Sequence, residues 1–175
     1  ISMNYISLYD KYNMNINPMN NENGKIHIAS IPEPSSLNKL EYLLDTSYAK
    51  EDENIFNELF ENKNFTIFLS IDKSIEVSSI RIFNSLIKKQ SAVKDVSIYM
   101  NDKLCAKGQI PQNFGVNFNF DDHSIIHNQE NQFLLPKITF YSDKYGILSI
   151  KPITELRFEI IETYNLQMSL KIGIA

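Results

Sequence analysis

Asp121, Asp122, His123 and His127 are the residues of this chain that come nearest to drawing a metal centre. Two histidines four positions apart share one face of a helix, and the carboxylates would add oxygen donors. The intervening Ser-Ile-Ile and the neighbouring Asn and Gln read as loop or strand, and no His-Glu-x-x-His base accompanies them, so a solvated polar loop is expected. A second oxygen-rich stretch, 45–61, offers Asp45, Glu51, Asp52 and Glu53 to a calcium ion, although their order does not follow an EF-hand loop. Cys105 falls within a strand pattern with no base beside it, and five scattered glycines form no phosphate loop. These residues predict no catalytic centre, no metal and no cofactor.

Binding is easier to place than chemistry. Lys88, Lys89 and Lys94 form a basic loop beside Asn84, Leu86 and Ile87, and the six together are the best candidate for partner contact. The apolar pair would anchor a protein surface, and the lysines would meet an acidic one. Asp45, Asp52, Glu53 and Phe56 form a second candidate set on the acidic loop, with Phe56 and Phe60 also readable as lids on a core.

The elements that must hold these loops read as strands. Phe65, Ile67, Leu69 and Ile71 alternate with polar neighbours, as do Ile80 and Ile82, then Val96, Ile98 and Met100, which is the period of a half-buried strand. Asp72-Lys73 and Asn101-Asp102-Lys103 interrupt these runs with turn-forming residues, and the second makes a hairpin of 96–110. Tyr5 to Tyr9 alternate at the start, IHIASI resumes until Pro32 and Pro34, and Val116, Phe118 and Phe120 point inward. Leu156, Phe158 and Ile160, then Met168, Leu170, Ile172 and Ile174, predict two closing strands. Only 35–45, with Leu37, Leu40, Leu43 and Leu44, carries helical spacing. Some eight to ten short strands with one short helix predict an all-β, antiparallel, two-sheet jelly-roll-like sandwich.

At 175 residues the chain fits one domain, 1–175, large enough to bury a core. A strand begins at its first residues and another ends at its last, which predicts a piece of a larger multi-domain protein. One cysteine permits no internal disulfide and suits a reducing, cytoplasmic compartment. No run approaches the ~20 apolar residues of a membrane span. A net charge of −4 disfavours broad attraction to nucleic acid or to an anionic membrane.

The stretch IRIFN at 80–84, then Lys88-Lys89, then VKDVSIYMNDKLCAKGQI, resembles the domain of unknown function that recurs in the katanin-interacting protein family of cilium-associated scaffolds. MNYISLYDKYNMNI, LEYLLDTSYAKEDENIF and LRFEIIETYN resemble the family's opening strand, Leu-rich segment and closing strand, so the likeness covers nearly the whole chain. Phe83 and Tyr164 stand where the family favours Trp, and Ala92 and Asn165 where Gly is usual. The resemblance implies a galactose-binding-like sandwich acting as a non-catalytic interaction module at the cilium or basal body of the cytoskeleton. Katanin subunits and tubulin or microtubules would be its partners. A carbohydrate- or calcium-binding sandwich is the alternative. Tyr99 and Tyr141 are expected to pack, and Tyr164 to pin the last strands with a corner hydrogen bond, as a structural tyrosine does in other sandwiches.

Overall fold

The computed structural model describes residues 2–10, 12, 14–17, 26–34, 38–46, 56–57, 65–84, 91–112, 115–120, 138–141 and 153–164. Its strands are β1 (Ser2–Tyr9), β2 (Ile26–Ile31), β3 (Phe56–Asn57), β4 (Phe65–Ile75), β5 (Ser79–Asn84), β6 (Val93–Met100), β7 (Lys103–Gln109), β8 (Gly115–Asn119), β9 (Ile138–Phe140) and β10 (Ile153–Thr163). A helical turn, α1 (Asn38–Glu41), runs into a 3-10 turn at Tyr42–Leu44. Among the described residues no helix is long and apolar enough to cross a membrane.

The strands form two antiparallel sheets, one in the order β3-β1-β5-β8 and the other β2-β4-β10-β6-β7-β9. The chain is an all-β sandwich, wound so that it passes from one sheet to the other at almost every connection. The alternation seen in the sequence explains the core. Phe65, Ile67 and Leu69 of β4, Leu156, Phe158 and Ile160 of β10, and Val96 and Ile98 of β6 face Ile6, Leu8, Ile80, Ile82, Val116 and Phe118 of the other sheet in one buried cluster. Leu40, Leu43 and Leu44 of the helical segment join it.

Two strands depart from simple alternation. On β1, Asn4 is an extra residue between the pairs Met3↔Asn84 and Tyr5↔Phe83, and this bulge turns both Met3 and Ile6 into the core. Asp72-Lys73, expected to end a strand, instead lie inside β4, which carries extra residues between its pairings with Glu155 and Ile153. Turn-forming residues here bend the strand without reversing it, and Asp72 accepts or shares a hydrogen bond with His27 Nε2 on β2 at 2.9 Å.

The predicted hairpin is present. β6 and β7 meet at Met100↔Lys103, with Asn101 and Asp102 at φ 47° and 65° in a two-residue turn whose twist suits paired strands. Asn101 Oδ1 accepts from the amides of Thr154 and Glu155, and Arg157 donates to Asp102 at 2.6 Å while lying 4.1 Å above the Tyr99 ring. Tyr99 is thus a packing residue, as its position in the strand suggested.

Glycine is required at one strand position. A side chain on Gly115 would place its first carbon 2.5 Å from Cδ2 of Phe83, whose ring stacks on Tyr5 across β1 and β5.

Candidate functional site

One end of the sandwich gathers the end of β5, the start of β6, the end of β7 and the end of β10. β5 ends in one sheet at Asn84, and β6 begins in the other at Val93. Asn84 ties these two ends together. Its Nδ2 donates to the Val93 carbonyl at 2.8 Å and to the Pro111 carbonyl at 3.0 Å, while its Oδ1 accepts from the Val93 amide at 3.0 Å. A side-chain amide has the donor and acceptor of a peptide group, so Asn84 pairs with Val93 as a neighbouring strand would.

Tyr164 ties down the other side of the rim. Its hydroxyl donates to the Ile110 carbonyl at 2.7 Å and its amide to the Ala92 carbonyl at 3.1 Å, and the Ile110 amide donates to the Lys94 carbonyl at 2.7 Å. Tyr164 thus makes a corner hydrogen bond, but to the end of β7 and not between the last two strands as expected. Tyr164→Phe should lower stability by about 1–2 kcal/mol, because the buried Ile110 carbonyl loses its side-chain partner. Urea unfolding would measure it, and an unchanged midpoint would deny the corner its role.

Asp95 sits beside these bonds, opposite Glu162 on β10 and Gln109 on β7. Burial first, and then the neighbouring Glu162 carboxyl, push its carboxyl above the usual aspartate range, against the pull of Lys94 and Gln109. Tyr164 is likewise raised, by burial and by the charge of Asp95.

Several residues singled out in the sequence take other places. Asn84 is fully buried and clamps the loop's base, so it offers no surface to a partner. Phe56, proposed as a binding residue of an acidic loop, is a core side chain on β3, paired with Met3 and stacked on Phe65 at 5.8 Å. Its burial follows from β3 completing the start of β1. Asp45 follows the 3-10 turn, its amide bonded to the Tyr42 carbonyl at 3.3 Å. Lys94 is half-buried on the rim. Leu86, Ile87, Lys88, Lys89, Asp52, Glu53, Glu51, Phe60, the Asp121–His127 cluster and the 168–174 strand lie outside the described residues.

The chain matches no family model, no curated protein and no solved structure. Its chemistry must therefore be read from its own groups. Among the described residues no three His, Cys, Asp or Glu side chains converge as metal ligands. Cys105 is buried as the extra residue of β7 between the pairs Ile98↔Ala106 and Tyr99↔Leu104, with its thiol toward the Lys103 carbonyl at 3.2 Å. Burial pushes that thiol above its usual range, which suits a packing role and not a nucleophile.

The sequence missed the Asp95–Glu162 pairing altogether. Both fall at polar strand positions, and only the register of β6 against β10 brings them together. It also missed Asn17, whose Nδ2 donates to the Ile6 and Leu44 carbonyls at 2.8 and 3.0 Å and whose Oδ1 accepts from the Leu8 amide at 2.8 Å. That amide occupies the outer edge of β1.

Proposed function

We propose that this domain is a non-catalytic protein-interaction module whose binding element is the basic segment between the buried Asn84 and Lys94, and that its partner is katanin or the microtubule on which katanin acts. The observation that carries the reading is the Asn84 clamp, which ties the end of β5 to the start of β6 on either side of the basic segment. A loop held at its base loses less conformational freedom on binding, so more of the contact energy appears as affinity. Lys88 and Lys89 stand out on a chain of net charge −4 and suit an acidic partner surface. The resemblance of IRIFN and the segments around it to the katanin-interacting family supplies the choice of partner and the ciliary or basal-body setting.

Binding of the protein to purified katanin subunits and to polymerised microtubules, in parallel at physiological salt, tests this. Saturable binding to one of them is expected, and Lys88→Glu with Lys89→Glu should weaken it at least tenfold, about 1.4 kcal/mol. Lys94 is best left in place, since it offsets the charge of Asp95. No binding to either partner would end the katanin reading. Binding undiminished by the double reversal would move the contact away from this loop.

A further inference from the structure

Two carboxyl groups meet at the rim because of a one-residue slip. β6 and β10 pair Val96 with Ile160 and Asp95 with Glu162, so Ile161 is an extra residue that brings Glu162 opposite Asp95. The charged and titratable groups facing Asp95 are Glu162 and Tyr164 from β10 and Lys94 beside it on β6, while β7 contributes the uncharged amide of Gln109. Asp95 and Glu162 hold paired positions on adjacent antiparallel strands, both half-buried, where two like charges directly opposite each other repel. An ionised carboxylate only accepts, so a bond between two carboxyl groups requires that one of them hold a proton.

We propose that Asp95 and Glu162 form a proton-operated latch: one shared proton ties the end of β10 to β6, and its loss sets two like charges against each other next to the Tyr164 anchor. The step is release of a single proton to solvent, with no other bond made or broken. Its mechanical output lies one and two residues further along β10. Glu162 is followed by Thr163, paired with Val93, and by Tyr164, bonded to Ala92 and Ile110. These are the same strand ends that frame loop 85–90. Repulsion within the pair therefore loosens the rim, and protonation closes it. The latch stands on the register of β6 against β10 and on the repulsion of like charges, and does not depend on the identity of any partner.

The sign follows from linkage. Burial and the neighbouring Glu162 raise the Asp95 carboxyl above the ordinary value of 3.8. Between that value and its folded one, the native protein holds more protons than the unfolded chain. Stability is full below the unfolded value, falls as pH rises through the raised one, and stays lower above it.

Amide hydrogen exchange of Tyr164 reads the latch directly, corrected for the intrinsic pH dependence of exchange. Protection in the wild type should fall about threefold to fivefold as pH rises from acid to neutral, the scale set by like charges on facing strand positions. In Asp95→Asn and in Glu162→Gln the profile should be flat, and both variants should melt at higher temperature than the wild type at neutral pH. Lys94→Gln should move the wild-type fall to higher pH by removing an attraction for the ionised carboxylate. If either amide variant fails to fold, the other and Lys94→Gln still decide. Identical pH profiles in the wild type and the folded variants would overturn the proposal.

Discussion

Asn84→Ala should destabilise the protein by about 3 kcal/mol, since it strips partners from the Val93 amide, the Val93 carbonyl and the Pro111 carbonyl at a fully buried position. Such a loss is a large part of the ~5–15 kcal/mol that holds a domain of this kind together. Partner affinity should fall beyond what the lost stability explains, because the end of β5 is then no longer tied to the start of β6. Asn84→Asp separates the two halves of the clamp. It keeps the acceptor for Val93 N–H but points a buried carboxylate at two carbonyl oxygens, so it should be worse than alanine at neutral pH and improve as the carboxyl is protonated. Urea unfolding at two pH values measures both. A loss below about 0.5 kcal/mol for Asn84→Ala would show that the rim closes without the clamp.

Asn17→Ala should cost a similar amount, about 3 kcal/mol, with a second consequence that Asn84→Ala lacks. β3 pairs only with Ser2 and Met3 of β1, and beyond them the amide of Asn17 covers Leu8 N–H and Ile6 C=O while the Ile16 amide covers the Leu8 carbonyl. Removing that amide leaves polar groups on a strand edge, which is a template for pairing with another chain. A melting temperature lower by roughly 6–12 °C is expected, together with concentration-dependent association in sedimentation. A variant that melts normally and stays monomeric at all concentrations would remove Asn17 from this role.

The two asparagines also mark where the sequence stops being legible. Apolar alternation placed β4, β6, β8 and β10 and their inward faces, because a strand with one face in the core and one near water leaves a period of two in the sequence. The Asn101-Asp102 turn was readable for a local reason, since both residues tolerate the left-handed backbone that they adopt. β1 was harder: Tyr5 and Ser7 are buried along with Ile6 and Leu8, so its faces differ little in exposure. In a chain rich in asparagine nothing marked Asn84 as a clamp instead of a contact residue, and nothing marked Asn17, for their importance lies in which carbonyls they meet. Phe56 looked like part of a polar loop because its two-residue strand is too short to show a period. Asp95 and Glu162 needed a register that depends on one bulge, and no local pattern encodes it.

The strand order bears on when this protein can fold. β6 and β7 are the one pair of described strands adjacent in both sequence and sheet, so every other pairing must close a longer loop of chain. β10, the last described strand, lies in the middle of the six-stranded sheet, between β4 and β6. On the ribosome, the β2–β4 and β1–β5 pairs and then the 96–110 hairpin become available in turn, but the two parts of the six-stranded sheet stay separate until residues 153–163 emerge. This sandwich is therefore completed only after residues 153–163 are made, at a rate set by long-range closure.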